Sequence, residues 1–258
     1  MDITSLQNQR IKHIVKLRDD KKTRKQDSLM LVEGRDEIQL ALDSGHIPQT
    51  ILSAPDLDSN QLIFPATEFI TVSRPVFEKI SYRDHPDGWL AIFPIPTTSL
   101  TDLHLSDVPL VIVAESIEKP GNLGAILRTA DAAQVDVILV CDPRVDAWNP
   151  NVVRASRGAV LSVPVVECDN VLALQWLKSI KLRVLAATPY AEAVFTNVNM
   201  NLPLAIAVGT EDKGLTEFWL KNADELVKIP MAGRVNSLNV SVSTALMVYE
   251  AVRQRNRF

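Results

Sequence analysis

Three short stretches in the second half of the chain place polar residues and glycines directly after apolar runs. In chain order they are NLGAILRTADA from Asn122, GTEDKGL from Gly209 and SLNVSVSTALMVYEA from Ser237. Each follows a segment typical of a buried strand, and in parallel sheets ligands collect at the carboxyl ends of the strands. Amide, carboxylate, hydroxyl and guanidinium groups at such an edge could bind a polar ligand and position it for reaction. The sequence therefore predicts a ligand site at this edge.

The first stretch combines a turn with a helix start. Pro120 and Gly121 are typical of a turn, and Asn122 can cap the helix that follows. Arg128 lies one turn into that helix. A capped helix with an exposed arginine explains the same residues, so this stretch alone identifies no ligand. The G-x-G-x-x-G pattern of dinucleotide-binding loops is absent from it, which disfavours a dehydrogenase-type function.

The second and third stretches offer tight turns and helix caps. Gly209 and Gly214 permit close approach of the backbone to a ligand around Glu211. Ser237 and Asn239 can cap the next helix, and the free N–H groups of a helix start favour an anionic partner. A surface turn and an ordinary capped helix stay open as alternatives for each stretch taken alone. Three such signals at one sheet edge favour a site.

Strands and helices alternate along the chain in the pattern of an α/β protein. Continuous apolar runs such as PLVIVAE are typical of strands buried on both faces, so we predict a parallel, helix-covered sheet in the second part. Within it, NPNVVRASRG is predicted to be a loop. The run Pro94–Pro109 is rich in Pro, Ser, Thr and Asp and is typical of a linker. The predicted domains are therefore 1–98, a small α/β domain, and 99–258.

Composition bounds the class of protein. The chain has 258 residues, 47% of them apolar and 22% charged, which suits a soluble globular protein with a sizeable core. No run approaches the roughly 18 apolar residues of a membrane span, and the N-terminus lacks the apolar stretch of a signal peptide. Cys141 and Cys168 lie inside apolar segments and indicate reduced thiols rather than a disulfide or a metal site. We therefore expect a cytoplasmic protein without a metal.

The charge distribution is uneven. The net charge of -4 argues weakly against a nucleic-acid partner. Residues 1–25, however, hold eight Lys or Arg against three Asp, a local balance of +5. Such a segment could contact RNA phosphates, or it could be a solvated helix face with ion pairs. Charge alone leaves both interpretations open.

Taken together, the three stretches resemble the motifs of the SpoU/TrmH family of RNA ribose 2′-O-methyltransferases, in the SPOUT superfamily. NLGAILRTADA, GTEDKGL and IPMAGRVNSLNVSVS match in order, spacing and strand context over residues 109–253. LMLVEGRDEIQLALDSG and DHPDGWLAIF are similar, more loosely, to the family's small substrate-binding domain. Thr210, Asp212, Arg157 and Trp89 depart from the usual family residues, which leaves the identity of the substrate open.

The resemblance implies transfer of a methyl group from S-adenosylmethionine to a ribose 2′-hydroxyl of structured RNA, ribosomal RNA more than transfer RNA. It also implies a C-terminal trefoil knot and a homodimer built around the knotted region. The stripe Leu246, Val248, Tyr249 and Val252 would suit a dimer face or a packed core face equally. The alternative is a non-catalytic RNA-binding protein with a relic cofactor pocket.

The resemblance also implies the roles of individual residues. Arg128 would contact the reacting ribose or its phosphate, and since arginine is a poor base we expect clamping rather than proton removal. Asn122 would order the loop and orient Arg128 or the ribose, and Glu211 would hold Arg128 or order the cofactor loop. The predicted catalytic set is Arg128, Asn122, Glu211, Ser237 and Asn239. The predicted cofactor contacts are Thr188, Val208, Gly209, Thr210, Gly214, Ile229, Pro230, Met231 and Leu238. The predicted RNA contacts are Arg10, Lys12, Lys21, Lys22, Arg24, Arg35, Arg154 and Ser156.

Overall fold

The computed structural model describes residues 2–58 and 68–255. The chain packs into two compact units, Met1–Thr97 with Asp146–Ser162, and Thr98–Val145 with Val163–Phe258. The sequence places residues 146–162 in the second domain, whereas in the structure they pack with the first unit.

The first unit is built on a mixed sheet. Among the described residues its strands run in the order β1-β4-β3-β5-β2. β1, β4 and β3 are parallel to one another, and β5 runs antiparallel to both β3 and β2. The strands are β1 (Asp2–Ile3), β2 (Leu29–Glu33), β3 (Thr50–Ser53), β4 (Glu68–Val72) and β5 (Trp89–Pro94). The helices are α1 (Gln9–Asp19), α2 (Lys21–Asp27), α3 (Arg35–Asp43) and α4 (Arg74–Ile80).

The helix α1 shows why this unit folds as it does. Asn8 caps it, because the Asn8 Oδ1 atom accepts a hydrogen bond from the backbone N–H of Arg10 at 2.9 Å. Ile11, Ile14 and Leu17 recur at helical spacing, and all three are buried in one apolar cluster with residues of α4 and the strands. The charged face of the same helix stays exposed.

The segment 146–162 contains a helix where the sequence predicts a loop. Asn149 caps α6 (Pro150–Ser156) by accepting from the N–H of Asn151 at 2.8 Å, and Pro150 fits the first helical position. The buried Asp146 accepts hydrogen bonds from Arg24 of α2 at 2.7 and 2.9 Å. This buried ion pair fastens the segment to α2 within the first unit.

The second unit has a parallel sheet, as predicted. Among the described residues its strands run in the order β10-β12-β9-β11-β6-β7-β8, and every recorded pairing is parallel. The strands are β6 (Leu110–Glu115), β7 (Val137–Cys141), β8 (Val165–Cys168), β9 (Arg183–Ala187), β10 (Ala193–Val194), β11 (Leu204–Val208) and β12 (Glu225–Lys228). The helices are α5 (Pro120–Ala132), α7 (Asn170–Ser179), α8 (Glu217–Asn222) and α9 (Val240–Gln254), with 3-10 turns at Ala159–Leu161 in the first unit and Phe195–Asn197 in the second.

The strand order gathers the motifs. β12, β9, β11 and β6 are consecutive neighbours, so their carboxyl ends lie side by side. Every residue of β6 is buried, as its continuous apolar run predicts. The predicted α/β class is therefore confirmed, although β8 and β10 were not foreseen.

Two findings on the described residues bear on the predictions made from composition. Within residues 2–58 and 68–255, no helix is long and apolar enough to cross a membrane. The same residues contain no group of three or more His, Cys, Asp or Glu placed to hold a metal ion. Cys141 and Cys168 are free thiols at register positions of neighbouring strands.

Candidate cofactor and ribose site

A cleft of about 420 Å³ lies at the carboxyl ends of the second unit's strands. Its volume falls within the roughly 300–1,000 Å³ typical of small-molecule sites. Of the residues predicted to contact the cofactor, those that line the cleft are Thr188, Val208, Gly209, Thr210, Gly214, Ile229, Met231 and Leu238. Pro230 is exposed and outside the lining. Leu215, Val227 and the almost fully exposed Tyr190 also line the cleft and were not predicted.

The loop after β11 forms one wall and depends on its glycines. Thr210 and Gly214 exchange backbone hydrogen bonds of 3.1 and 3.0 Å, which closes the loop on itself. A Cβ atom on Gly209 would lie 2.2 Å from the carbonyl oxygen of Gly214, so no other residue fits there. Gly214 has a φ of 68°, in the left-handed region that favours glycine. The cleft combines apolar residues such as Leu215 and Val227 with backbone polar groups, and this combination suits an adenine ring and a methionine tail.

Glu211 joins the three motifs. Its carboxylate accepts hydrogen bonds from the Lys119 ammonium at 2.6 Å, from the Asn122 amide at 3.0 Å and from the amide of Asn239. The Asn239 amide also donates to Asn122 Oδ1 at 3.1 Å. Four side chains from three strand ends therefore form one network. Lys119 was missed, because nothing in its spacing indicates a contact with a loop residue 92 positions later in the chain.

The network fixes the charge of its members. The hydrogen bond from Lys119 lowers the pKa of Glu211, and the Asn122 amide lowers it further. The same hydrogen bond raises the pKa of Lys119. Glu211 is therefore a carboxylate and Lys119 an ammonium at neutral pH, and neither is suited to accept a proton. Their role is to hold the loop in place.

Of the two asparagines predicted to cap helices, Asn239 does so and Asn122 does not. α5 begins at Pro120, so Asn122 lies inside the first turn and does not cap the helix. Asn239 does cap α9, since its Oδ1 accepts from the N–H of Ser241 at 2.9 Å and from the Ser241 hydroxyl at 2.6 Å. Asn239 therefore serves the helix with its oxygen and the network with its nitrogen.

Arg128 stands apart from this network. It is exposed, and within the described part of the chain its guanidinium forms no hydrogen bond or ion pair. Among the described residues, neither Asn122 nor Glu211 contacts Arg128, whereas the alternative role of Glu211, ordering the cofactor loop, agrees with its contacts. Ser237 is exposed and lines the cleft.

A buried carboxylate beneath the loop was also missed. Glu115, the last residue of β6, is only 1% exposed. It accepts from the N–H and hydroxyl of Thr216, where the loop ends, at 2.7 and 2.6 Å, and from the Asn170 amide at 2.8 Å. Trp219 donates its indole N–H to Asn170 at 2.6 Å. Because each group is satisfied, the network fixes the end of the loop that carries Glu211.

The predicted RNA contacts in the first unit separate into two groups. Lys12, Lys21 and Lys22 have exposed side chains that make no hydrogen bond or ion pair to the described residues, and Arg35 and Arg154 are exposed too. Arg10 is exposed but paired with Glu68 at 2.5 Å. The basic segment thus has both free cations and ion pairs.

Arg24 and Ser156 require a correction. Arg24 is 2% exposed, and its guanidinium is held by Asp146 and by the carbonyl oxygens of Leu17 and Arg18. Ser156 is fully buried and donates its hydroxyl to the carbonyl of Val153 at 2.9 Å. Both residues stabilise the first unit and are not available to RNA.

The fold and the cleft define a two-unit α/β protein with a ligand site at the edge of a parallel sheet. Residues 109–249 match the model of the SpoU rRNA Methylase family, and residues 8–91 match the MRM3-like substrate binding domain. The chain belongs to the SpoU rRNA Methylase family, as its motifs predict.

Individual relatives agree with this membership. The chain is 28% identical to the 23S rRNA (guanosine(2553)-2'-O)-methyltransferase RlmP of Bacillus subtilis, over 96% of this chain and 97% of that protein. Among solved structures, an RNA 2'-O ribose methyltransferase is 40% identical with a TM-score of 0.85, over 99% of this chain and 100% of that one. An AdoMet-bound rRNA methyltransferase from Sinorhizobium meliloti is 28% identical with a TM-score of 0.89, over 98% and 97%. The match to a TrmH family tRNA/rRNA methyltransferase of Bacillus subtilis, at 36% identity, spans 58% of this chain and 61% of that protein.

Proposed function

We propose that the protein transfers the methyl group of S-adenosylmethionine to a ribose 2′-hydroxyl of RNA. The observation that carries this proposal is the cleft at the strand ends, whose loop is tied through Glu211 to both flanking motifs. The family match and the names of the relatives support the reaction type and the methyl donor. The RlmP relative supports ribosomal RNA over transfer RNA as the substrate.

Positioning accounts for most of the chemistry in this mechanism. The sulfonium of the bound donor supplies an activated methyl group, so the chain has to align the hydroxyl and assist loss of its proton. Alignment alone can contribute up to about 7–11 kcal/mol to a bimolecular reaction. Glu211 and Lys119 hold the loop and the starts of α5 and α9 together. Arg128, with its free guanidinium, clamps a phosphate or the reacting ribose oxygen electrostatically.

The first unit, which combines most of the predicted domain 1–98 with residues 146–162, binds the RNA in this proposal. Its match to a substrate binding domain supports that role, as do the exposed lysines of α1 and α2. Lys12, Lys21 and Lys22 contact phosphates, and Arg35 and Arg154 add further positive charge. A cytoplasmic location is part of the proposal, because RNA of this kind is modified where ribosomes are made.

A homodimer completes the proposed assembly. Of the predicted stripe on α9, Val248 and Val252 are buried, whereas Leu246 and Tyr249 are exposed. Val242 is also exposed on α9, one helical turn before Leu246. An exposed apolar row of this kind favours burial against a second copy. The trefoil knot stays a prediction from the family resemblance.

Replacement of Arg128 tests the proposal. We expect Arg128→Ala to lower methyl incorporation from labelled S-adenosylmethionine into RNA about 100-fold or more, in line with removal of one electrostatic contact to the reacting centre. The substrate is total RNA from cells that lack the gene. Cofactor affinity, measured by calorimetry, is expected to stay within about two-fold, because Arg128 is outside the cleft lining.

Arg144→Ala is the matched control, since Arg144 is an exposed arginine of the second unit outside the cleft lining. It is expected to keep most of the activity. Wild-type protein that binds RNA but transfers no methyl group would favour the non-catalytic alternative. Loss of cofactor binding in Arg128→Ala would show that its proposed role is misplaced.

A further inference from the structure

A second cleft, of about 560 Å³, lies within the first unit and is not part of the site described above. It is lined by charged side chains from the start of α3, from the segments after β3 and after α4, and from α6 with the residue that follows it. They comprise four arginines and five carboxylates, so the cleft carries a formal charge of -1 with its histidine neutral. A site of that balance does not suit a phosphate alone, because phosphate is itself an anion.

Several of these groups are already used by the protein. The nearly buried carboxylate of Glu37 binds the guanidinium of Arg83 at 2.8 Å. Asp87 accepts from the backbone N–H of Trp89 at 3.1 Å, and Asp58 accepts from the indole N–H of the same residue at 2.9 Å. These contacts hold several of the lining residues in place.

Four other groups face the cleft without a protein partner. The side chains of Arg35, Arg154, Asp84 and His85 are exposed, and none of them forms a hydrogen bond or ion pair with residues 2–58 or 68–255. The cleft therefore offers guanidinium donors and a carboxylate acceptor together. A single exposed charge needs no ligand, but donors and an acceptor that line the same cleft match a ligand that carries both kinds of group.

Guanine is the nucleobase with that pattern. Its O6 and N7 atoms accept a bidentate pair of hydrogen bonds from arginine, and its N1–H and N2–H groups donate to a carboxylate. Adenine would place an acceptor, N1, against the carboxylate and a donor, its amino group, against the arginine. Proteins read RNA sequence mainly at unpaired bases, whose edges are accessible in this way.

We propose that this cleft binds an unpaired guanine base of the RNA. Asp84 accepts from the N1–H and N2–H edge, and Arg35 or Arg154 donates to O6 and N7. The exposed ring of His85 is available to stack on the base. The inference rests on the proposed function, because it takes RNA as the substrate, and it adds a base that the first unit selects.

The test uses the full chain without cofactor and three labelled RNA oligonucleotides. One contains only adenosine, and the others carry a single central guanosine or inosine, which lacks the N2 amino group. Fluorescence anisotropy at fixed salt gives each dissociation constant. We expect wild-type protein to prefer the guanosine probe about ten-fold, within the range of one bidentate contact, with inosine intermediate.

Asp84→Asn separates base reading from charge. The variant removes one negative charge, so its affinity for the adenosine probe is expected to stay equal or rise. Its preference for guanosine is expected to fall to about two-fold or less, because the carboxylate acceptor is gone. Asp56→Asn is the matched control, since Asp56 is exposed in the same unit outside the cleft and makes no hydrogen bond or ion pair with the described residues. It should keep the preference.

The double variant Arg35→Ala, Arg154→Ala is expected to lose the guanosine preference and also to weaken binding of every probe. Equal wild-type affinity for all three probes would overturn the proposal, and so would an unchanged preference in Asp84→Asn. Methyl transfer to cellular RNA is measured in parallel. A wild-type protein that methylates RNA but has no guanosine preference would refute the cleft and leave the proposed function standing. A protein that prefers guanosine but transfers no methyl group would support the guanine-binding cleft and contradict the proposed function.

Discussion

At the scale of single residues, the carboxylate of Glu211 connects the cofactor loop to the two neighbouring motifs. We expect Glu211→Gln to weaken S-adenosylmethionine binding at neutral pH by about five-fold, the upper range for an exposed ion pair, because Lys119 loses its counter-charge. Calorimetry measures the loss. Asp107→Asn is the control, since Asp107 is an exposed carboxylate of the same unit, lies outside the cleft lining and makes no hydrogen bond or ion pair to the described residues. Similar weakening in the control would contradict the role of Glu211.

The pH dependence follows from the same contact. The folded pKa of Glu211 is lowered, so its stabilising contribution is present above the ordinary carboxyl pKa. That contribution is lost as the pH falls through the lower, folded value. Wild-type affinity for the cofactor should therefore be flat from neutral pH to about pH 5 and decline below about pH 4. The Gln variant should lack that acid decline, and a decline of equal size in both proteins would contradict the assignment.

The sequence indicated which residues lie near the cleft, but it did not indicate which of them contact one another. The polar start of α9 predicted a cap, and Asn239 caps the helix with its amide oxygen while its amide nitrogen donates to Glu211. The spacing could not reveal Lys119, because its partner is fixed by strand order rather than by sequence distance. For the same reason Arg24 was predicted to be an RNA-contacting surface cation. In the structure the carboxylate of Asp146, 122 residues away in the sequence, holds it inside the first unit.

At the scale of elements, the end of the cofactor loop is held from below by β6. Glu115→Gln keeps the shape of the side chain but replaces one accepting oxygen with a donating amide nitrogen. That nitrogen would meet either the Thr216 N–H or the Thr216 hydroxyl and Asn170 amide, which are themselves donors to Glu115. Hydrogen bonds to a charged group contribute about 1.5–3 kcal/mol. We expect the KM for S-adenosylmethionine to rise about ten-fold or more, with a smaller change in kcat. Hydrogen exchange at the Thr216 amide should become faster.

Thr216 supplies the matched series for that prediction. Thr216→Ser keeps both contacts to Glu115 and should behave like wild type, whereas Thr216→Val keeps only the backbone contact and should fall between wild type and Glu115→Gln. A KM that is unchanged in Glu115→Gln, despite a lower melting temperature, would mean that Glu115 stabilises the fold without positioning the loop.

The strands with continuous apolar runs were predicted, whereas some elements without a clear pattern were not. The buried strands β6, β7, β9 and β11 follow from their continuous apolar runs. α6 is one of the misses, since its seven residues carry too little periodicity and its ends are fixed by a proline, an asparagine cap and a tertiary ion pair. The start of α5 was placed too late because Pro120 reads equally as a turn residue and as a first helical residue.

At the scale of the whole molecule, the linker composition predicted where the chain leaves the first unit, but it could not predict its return. Residues 146–162 pack with the first unit through tertiary contacts, such as the pairing of Arg24 with Asp146 and the hydrogen bond between His46 and the carbonyl oxygen of Leu161. Such a return leaves no local signal in composition. Domain boundaries drawn from linkers therefore miss segments that re-enter a unit by tertiary contacts.

The proposed homodimer depends on the apolar face of α9. Val242, Leu246 and Tyr249 recur at intervals of four and three residues, so they lie on one face, with relative exposures of 46%, 42% and 40%. Single exposed apolar residues are common, but an aligned row favours an interface.

We expect wild-type protein to sediment as a dimer and Leu246→Glu to shift it to monomer, since a carboxylate would be buried without a partner. Val171→Glu, on the exposed face of α7, is the control and should leave the dimer intact. A dimer that survives Leu246→Glu with unchanged stability would place the interface elsewhere, and a wild-type monomer at all concentrations would exclude the assembly.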